Sequence, residues 1–179
     1  GGGAYNTASG EYSSVSGGIY NEAEGDYSFA AGRRAKAHNQ GCFVWGDSLD
    51  DDVACDTDDR TIFRSSGGFY IYTNSGLSSG MYLSGGGSSW NAVSDRARKE
   101  NFRPVDTQVL LARLAEIPVS TWNYTSQDPS IRHVGPMAQD FNALLDGLGG
   151  EGEAYINTLD ADGVALAAIQ GLYAQNQEL

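Results

Sequence analysis

The sequence predicts an α+β chain in three stretches. Residues 1–46 carry short β-repeats, 47–93 form a β-rich connector with an acidic loop, and 94–179 form a mixed α/β domain ending in a helix. Three observations lead there. Of 24 glycines in 179 residues, 17 fall before residue 91. Residues 1–41 hold three Leu, Ile, Val or Phe side chains (Val15, Ile19, Phe29), whereas 102–179 hold 21, so two unlike parts share the chain. The third observation is a repeat at the amino terminus.

Asn6, Ala8, Gly10, Tyr12, Ser13, Val15 and Gly17 recur fifteen residues later as Asn21, Ala23, Gly25, Tyr27, Ser28, Ala30 and Gly32. A fixed interval of this kind marks stacked units, each burying its face against the next. Within a unit, Tyr12, Ser13, Ser14 and Val15 read as a short strand, and Gly17–Gly18 and Asn21 supply turn chemistry. The third copy slips out of register after Gly32, through Arg33, Arg34, Ala35, Lys36, Ala37 and Gly41. A flexible Gly/Ser linker is the plain alternative, but a linker has no reason to keep Asn, Ala and Tyr at fixed positions. The apolar stripe is too thin to offset backbone ordering in a lone chain, so partner chains are expected.

Composition narrows the function. With 23 acidic and 11 basic residues the net charge is -12, which lacks the electrostatic footprint a phosphate backbone requires, and nucleic acid is not an expected partner. No apolar run reaches the roughly 18–20 residues that span a bilayer, so a soluble protein with no membrane partner is expected. The first residue is not Met, which suggests a piece of a longer chain. Cys42 and Cys55 flank the acidic run Asp47 to Asp59; two cysteines make neither a disulfide framework nor a zinc site, and their pairing depends on the compartment. The acidic run lacks calcium-loop spacing, and neither a metal nor a cofactor is expected.

Phe43–Trp45, Thr61–Arg64, Phe69–Thr73 and Met81–Ser84 are β-prone runs separated by turns. Beyond residue 102 the periodicity turns helical. Asp106 precedes Leu110, Leu111, Leu114 and Ile117, and Pro118 ends that face. Val119–Tyr124 reads as a strand; Pro136 fits a helix start before Met137, Phe141, Leu144 and Leu145, with a Gly-rich stop at 147–152. Asp160 or Asp162 is expected to cap a last helix, in which Ile169, Leu172, Asn176 and Leu179 are spaced as a coiled-coil seam with one polar residue. Trp45, Trp90 and Trp122 read as core or interface anchors rather than a sugar-stacking platform.

The stretch Ser94-Asp95-Arg96-Ala97-Arg98-Lys99-Glu100-Asn101 holds one of only two lysines in the chain. The neighbouring Arg96 and Arg98 disfavour a further positive charge, so Lys99 is suited to act as a base. Serine needs such a base before its hydroxyl becomes a nucleophile. A separation of five places the two side chains about 140° apart on a helix and on opposite faces of a strand. Either an irregular turn spans them, or a neighbouring chain completes each site.

Residues 1–41 resemble the head of trimeric autotransporter adhesins, whose N-x-A-x-G repeats form a left-handed β-roll wound from three chains. S-D-R-x-x-K-E-N-F at 94–102, P-V-S-T-W-N-Y at 118–124, S-I-R-H-V-G-P-M-A-Q-D-F at 130–141 and D-A-D-G-V-A-L-A-A-I-Q-G-L at 160–172 resemble the C-terminal intramolecular chaperone of phage tailspikes and tail fibres, as in endosialidases. That resemblance implies a homotrimer whose chaperone domain folds its own upstream β-structured region. It further implies release by autoproteolysis at Val93–Ser94, with Ser94 as nucleophile and Lys99 as base. Arg98 departs from the apolar residue usual before the lysine. His133 is open to three roles: orienting Lys99, donating to an oxyanion, or filling a polar core position. Asp95 caps a turn or holds Lys99. The competing reading is a permanent trimeric adhesin or fibre tip with the C-terminal half as an uncut clamp. Either places the protein on a phage virion or a bacterial surface, with a host-surface receptor as a further partner.

Overall fold

The computed structural model describes residues 2–144 and 154–178. The chain divides into two compact units, Gly1–Asp95 and Arg96–Leu179.

The first unit is β-solenoid-like. Its strands β1 (Gly3–Ala4), β2 (Thr7–Ala8), β3 (Ser14–Ile19), β4 (Glu22–Ala23), β5 (Phe29–Arg33), β6 (Ala35–Ala37), β7 (Phe43–Gly46), β8 (Val53–Cys55) and β9 (Thr61–Arg64) alternate between two parallel sheets. One sheet runs β1-β3-β5-β7-β9 and the other β2-β4-β6-β8, so each coil lays one strand on each sheet. Strands β10 (Phe69–Tyr72), β11 (Gly80–Leu83) and β12 (Trp90–Ala92) follow as an antiparallel meander.

Side-chain alternation along each strand builds the interior from lanes of one residue per coil. Val15, Ala30, Val44 and Ile62 align in the first sheet, and Ala8, Ala23, Ala37 and Cys55 in the second. The core is accordingly thin, with Ala, Val44 and the two cysteines as its fully buried members.

The recurring Asn is the polar part of that ladder. Asn21 is wholly buried. Its amide nitrogen donates to Asn6 Oδ1 (3.1 Å), the Gly17 carbonyl (3.1 Å) and the Gly32 carbonyl (2.9 Å), while its Oδ1 accepts from the Ala35 N–H at 2.9 Å. One side chain thus ties three successive coils at a corner where main-chain groups would otherwise be buried without partners.

The repeat slips out of the fifteen-residue register as the sequence indicates, because the coils first shorten and then lengthen. Gly3 pairs with Gly18, fifteen residues on; Gly18 pairs with Gly32, fourteen on; Phe43 pairs with Thr61, eighteen on. The Gly17–Gly18 pair is not a turn, as expected from its composition, but an irregularity inside β3 that absorbs the missing residue. A Cβ at Gly18 would stand 1.8 Å from the Gly32 carbonyl oxygen, and φ there is +101°, so no other residue fits. Tyr12 likewise leaves the expected strand: it and Tyr5, Tyr20, Tyr27 and Arg34 hold φ of 56–58° at the coil corners. The corners stack ring on ring, Tyr5 on Tyr20 at 4.9 Å and Tyr12 on Tyr27 at 5.2 Å.

The four extra residues of the last coil lie in the acidic loop between β7 and β8. Asp47 anchors it, accepting from Arg64 Nε and from the Ser66 N–H, each at 2.8 Å; Arg33 and Arg34 pair with Asp50 and Asp52. Hydrogen bonds from Ser66, then from Arg64, hold the Asp47 carboxyl well below the usual carboxylate range. The folded value lies under the unfolded one of about 3.9, so its contribution is complete above that pH and is lost as the pH falls below it. Hydrogen exchange at the Ser66 amide is therefore expected to quicken on acidification relative to the β5–β7 ladder. Asp47→Asn should remove that pH dependence.

Cys42 and Cys55 form a disulfide that brackets one coil. Closing a loop with a sequence separation of 13 stabilises the fold by about 3 kcal/mol. Reduction, or Cys55→Ser, is expected to lower the urea midpoint accordingly without altering the strands. His38, without a visible task in the sequence, faces Glu22 at 3.2 Å; Lys36, almost buried, donates to the other Glu22 oxygen at 2.6 Å and to the Tyr20 carbonyl at 3.0 Å. These two donors lower the Glu22 pKa.

The second unit holds helix α1 (Thr107–Leu114), strands β13 (Ser120–Trp122) and β14 (His133–Gly135) paired as an antiparallel hairpin, and helices α2 (Ala138–Leu144) and α3 (Thr158–Gln177). Asp106 caps α1, accepting from the Gln108 and Val109 N–H groups at 3.1 Å. Leu110, Ile117, Phe141 and Val164 form the core. Pro136 precedes α2 by two residues rather than opening it; Leu145, the 147–152 stop and Leu179 lie outside the described residues. The cap of α3 is Asn157, not Asp160 or Asp162: its extended backbone lets Oδ1 accept from the Leu159 N–H at 2.9 Å. Helices α1 and α3 approach closely at Gly171, where a Cβ would meet the Thr107 carbonyl oxygen at 2.6 Å. Among the described residues no helix is long and apolar enough to cross a membrane.

Candidate functional site

Strand β12 ends at Ala92, and Val93, Ser94 and Asp95 continue as exposed, irregular chain that closes the first unit. Arg96–Arg98 is a 3-10 turn that opens the second unit, and the Lys99 N–H bonds back to the Arg96 carbonyl at 3.2 Å. Neither strand nor α-helix spans Ser94 to Lys99. Both residues are exposed. The Arg96 guanidinium lies 5.5 Å from the Phe102 ring centroid, which fixes one side of the turn, and Asn101 adopts φ +57° as the chain leaves it. Val93, at 38 % exposure, presents its peptide bond outside any β-ladder.

His133 sits in β14, opposite Trp122 of β13. Its Nε2 lies 2.9 Å from Gln127 Oε1, and its ring packs on Trp122 at 4.7 Å and Tyr124 at 5.6 Å. These contacts all belong to the hairpin. Arg132, just before His133 at the start of β14, ties the same hairpin by reaching across to β13, donating to the Thr121 carbonyl at 2.7 Å and to Asn123 Oδ1 at 3.1 Å. Gln127 was not singled out from the sequence; the Asp128-Pro129-Ser130 turn was the available signal, because Asp128 accepts from Ser130 and folds the loop back toward the hairpin. Among the described residues no group of three or more His, Cys, Asp or Glu side chains is placed to hold a metal ion.

A β-solenoid-like unit and a small α/β unit thus follow one another in the chain, with the Ser-Asp-x-x-x-Lys segment at their junction in the sequence. Residues 94–150 match the family described as chaperone of endosialidase, which supports an intramolecular chaperone domain of the tailspike and tail-fibre type. Members of that family are self-cleaving, peptidase-like domains of phage tail proteins that act on their own upstream fibre region. No curated protein and no solved structure matches the chain.

Proposed function

We propose that this chain is a self-cleaving intramolecular chaperone that trimerises, folds its upstream β-solenoid, and is released by cutting at Val93–Ser94. One observation carries the reading: the family match begins at Ser94, the residue assigned as nucleophile. Lys99 takes the proton from Ser94 Oγ as that oxygen attacks the Val93 carbonyl carbon. The Val93–Ser94 C–N bond breaks, the freed Ser94 amine receives the proton, and an ester joins Val93 to Ser94 Oγ. Water then hydrolyses the ester, leaving a Val93 carboxylate and a new amino terminus at Ser94. Nucleophile and target share one chain, so a single turnover needs no substrate pocket. Asp95 is assigned to the turn, and the hairpin contacts of His133 support a packing role over a catalytic one.

Two exposed apolar faces support association of three copies. On the first solenoid sheet Trp45 and Phe63 are 42 % and 47 % exposed. On α3, Val164, Ala168 and Gly171 turn inward, while Leu166, Ile169 and Tyr173 on the opposite side are 61–66 % exposed. A helix apolar on two faces has room for a second helix, in the manner of a coiled-coil seam. Sedimentation together with the mass of each product tests the whole reading. Three copies and two fragments are expected; an uncut 19.0 kDa chain would make the C-terminal half a permanent clamp on an adhesin or fibre tip.

A further inference from the structure

The β13–β14 hairpin is a sheet of two three-residue strands, and among the described residues neither strand has a main-chain partner on its outer edge. Two strands alone are marginal in water; a third strand is the usual remedy. Val119 and Val134 stand 66 % and 71 % exposed along this hairpin. Beside it runs a groove of about 610 Å³ with Trp122, Tyr124, Met137, Tyr155 and Ile156 among its lining. Among the described residues no charged side chain lines it, in a chain whose net charge is -12. An open strand edge next to an uncharged aromatic groove suits an extended peptide, whose main chain extends the sheet while alternate side chains enter the groove.

The composition of one segment answers to that chemistry. Residues 65–93 contain no Asp, Glu, Lys, Arg or His, and include the runs Phe69-Tyr70-Ile71-Tyr72 and Met81-Tyr82-Leu83. Short, uncharged, β-prone runs of this kind are aggregation hazards until they are paired.

We propose that the groove and edge of the β13–β14 hairpin bind an extended, uncharged, aromatic-rich strand of unfolded chain, of which residues 65–93 are the source. The inference rests on the chaperone reading above and names its client segment. The test uses the full chain carrying Ser94→Ala and a fluorescent peptide with the sequence of residues 68–74, read by anisotropy. Saturable binding is expected. It should weaken at least tenfold with Tyr155→Lys, which sets a charge in the groove, and with Val134→Pro, which removes an edge N–H. A peptide carrying Ile71→Asp should also bind at least tenfold more weakly. Thermal unfolding of each variant separates lost binding from lost folding, and Tyr155→Lys, at a side chain 74 % exposed, is the variant that keeps the fold. No binding by the parent chain would overturn the proposal, as would binding unmoved by Tyr155→Lys. Loss of the oligomer in Tyr155→Lys with no peptide effect would assign the groove to a second copy and also overturn it. Cleavage, scored separately with Ser94 restored, tells a failure of this proposal from a failure of the autoprotease reading.

Discussion

Ser94→Ala is expected to leave the chain whole at 19.0 kDa, while the parent chain resolves into two fragments whose new amino terminus is Ser94. No other atom supplies the ester oxygen, so the loss is complete rather than partial. Lys99→Ala removes the base but leaves the nucleophile, and slows cutting by about 10²–10⁴-fold, the range that a positioned proton acceptor contributes. Lys99→Arg is equally informative, because an arginine keeps the charge and cannot give up its proton. A chain that cuts at 93/94 in either Ser94→Ala or Lys99→Arg would end the assignment. Mass spectrometry over a time course after refolding gives both the site and the rate.

Asn21→Ala is expected to cost about 3–5 kcal/mol, the largest single-residue effect in the solenoid. It strands the buried Ala35 N–H and removes a donor from the half-buried Gly17 and Gly32 carbonyls, each worth about 1–3 kcal/mol. Asn6→Ala, half-buried at the first coil and making fewer such bonds, should cost about 1 kcal/mol. Urea titrations of the two variants beside the parent chain measure the difference. Equal midpoints for Asn21→Ala and the parent would mean that the ladder does not hold the coils.

The two buried lanes and the stacked coils were legible because one residue per coil must face inward, and the repeated Ala, Val and Asn record that geometry directly. The corners were not. A tyrosine at φ near +58° contradicts local preference, and main-chain bonds between coils, such as Tyr27 N–H to the Glu11 carbonyl at 2.8 Å, hold it there together with the stacked rings. Those bonds join residues far apart in the chain, so no window of sequence reveals them. The loss of register after Gly32 was legible but its place was not: Gly17–Gly18 reads as a turn until the neighbouring strand shows that it is a bulge. For the candidate site, residue order was informative and geometry was not. Ser94 and Lys99 stand out by their types and surroundings, whereas the 3-10 turn at Arg96–Arg98 buries no residue and leaves no apolar pattern to read. Asn157 displaced Asp160 as the cap of α3 because the helix begins one turn earlier than its charge pattern suggests.

The stretch between β7 and β8 takes up four more residues than its predecessors, yet the strands on either side remain aligned with the coil before. A scaffold that tolerates lengthening at that corner offers a natural grafting point: an epitope or a binding loop inserted near Leu49 should be carried outward on the side of the shaft, its ends pinned by Asp47 and by the crosslink at Cys55.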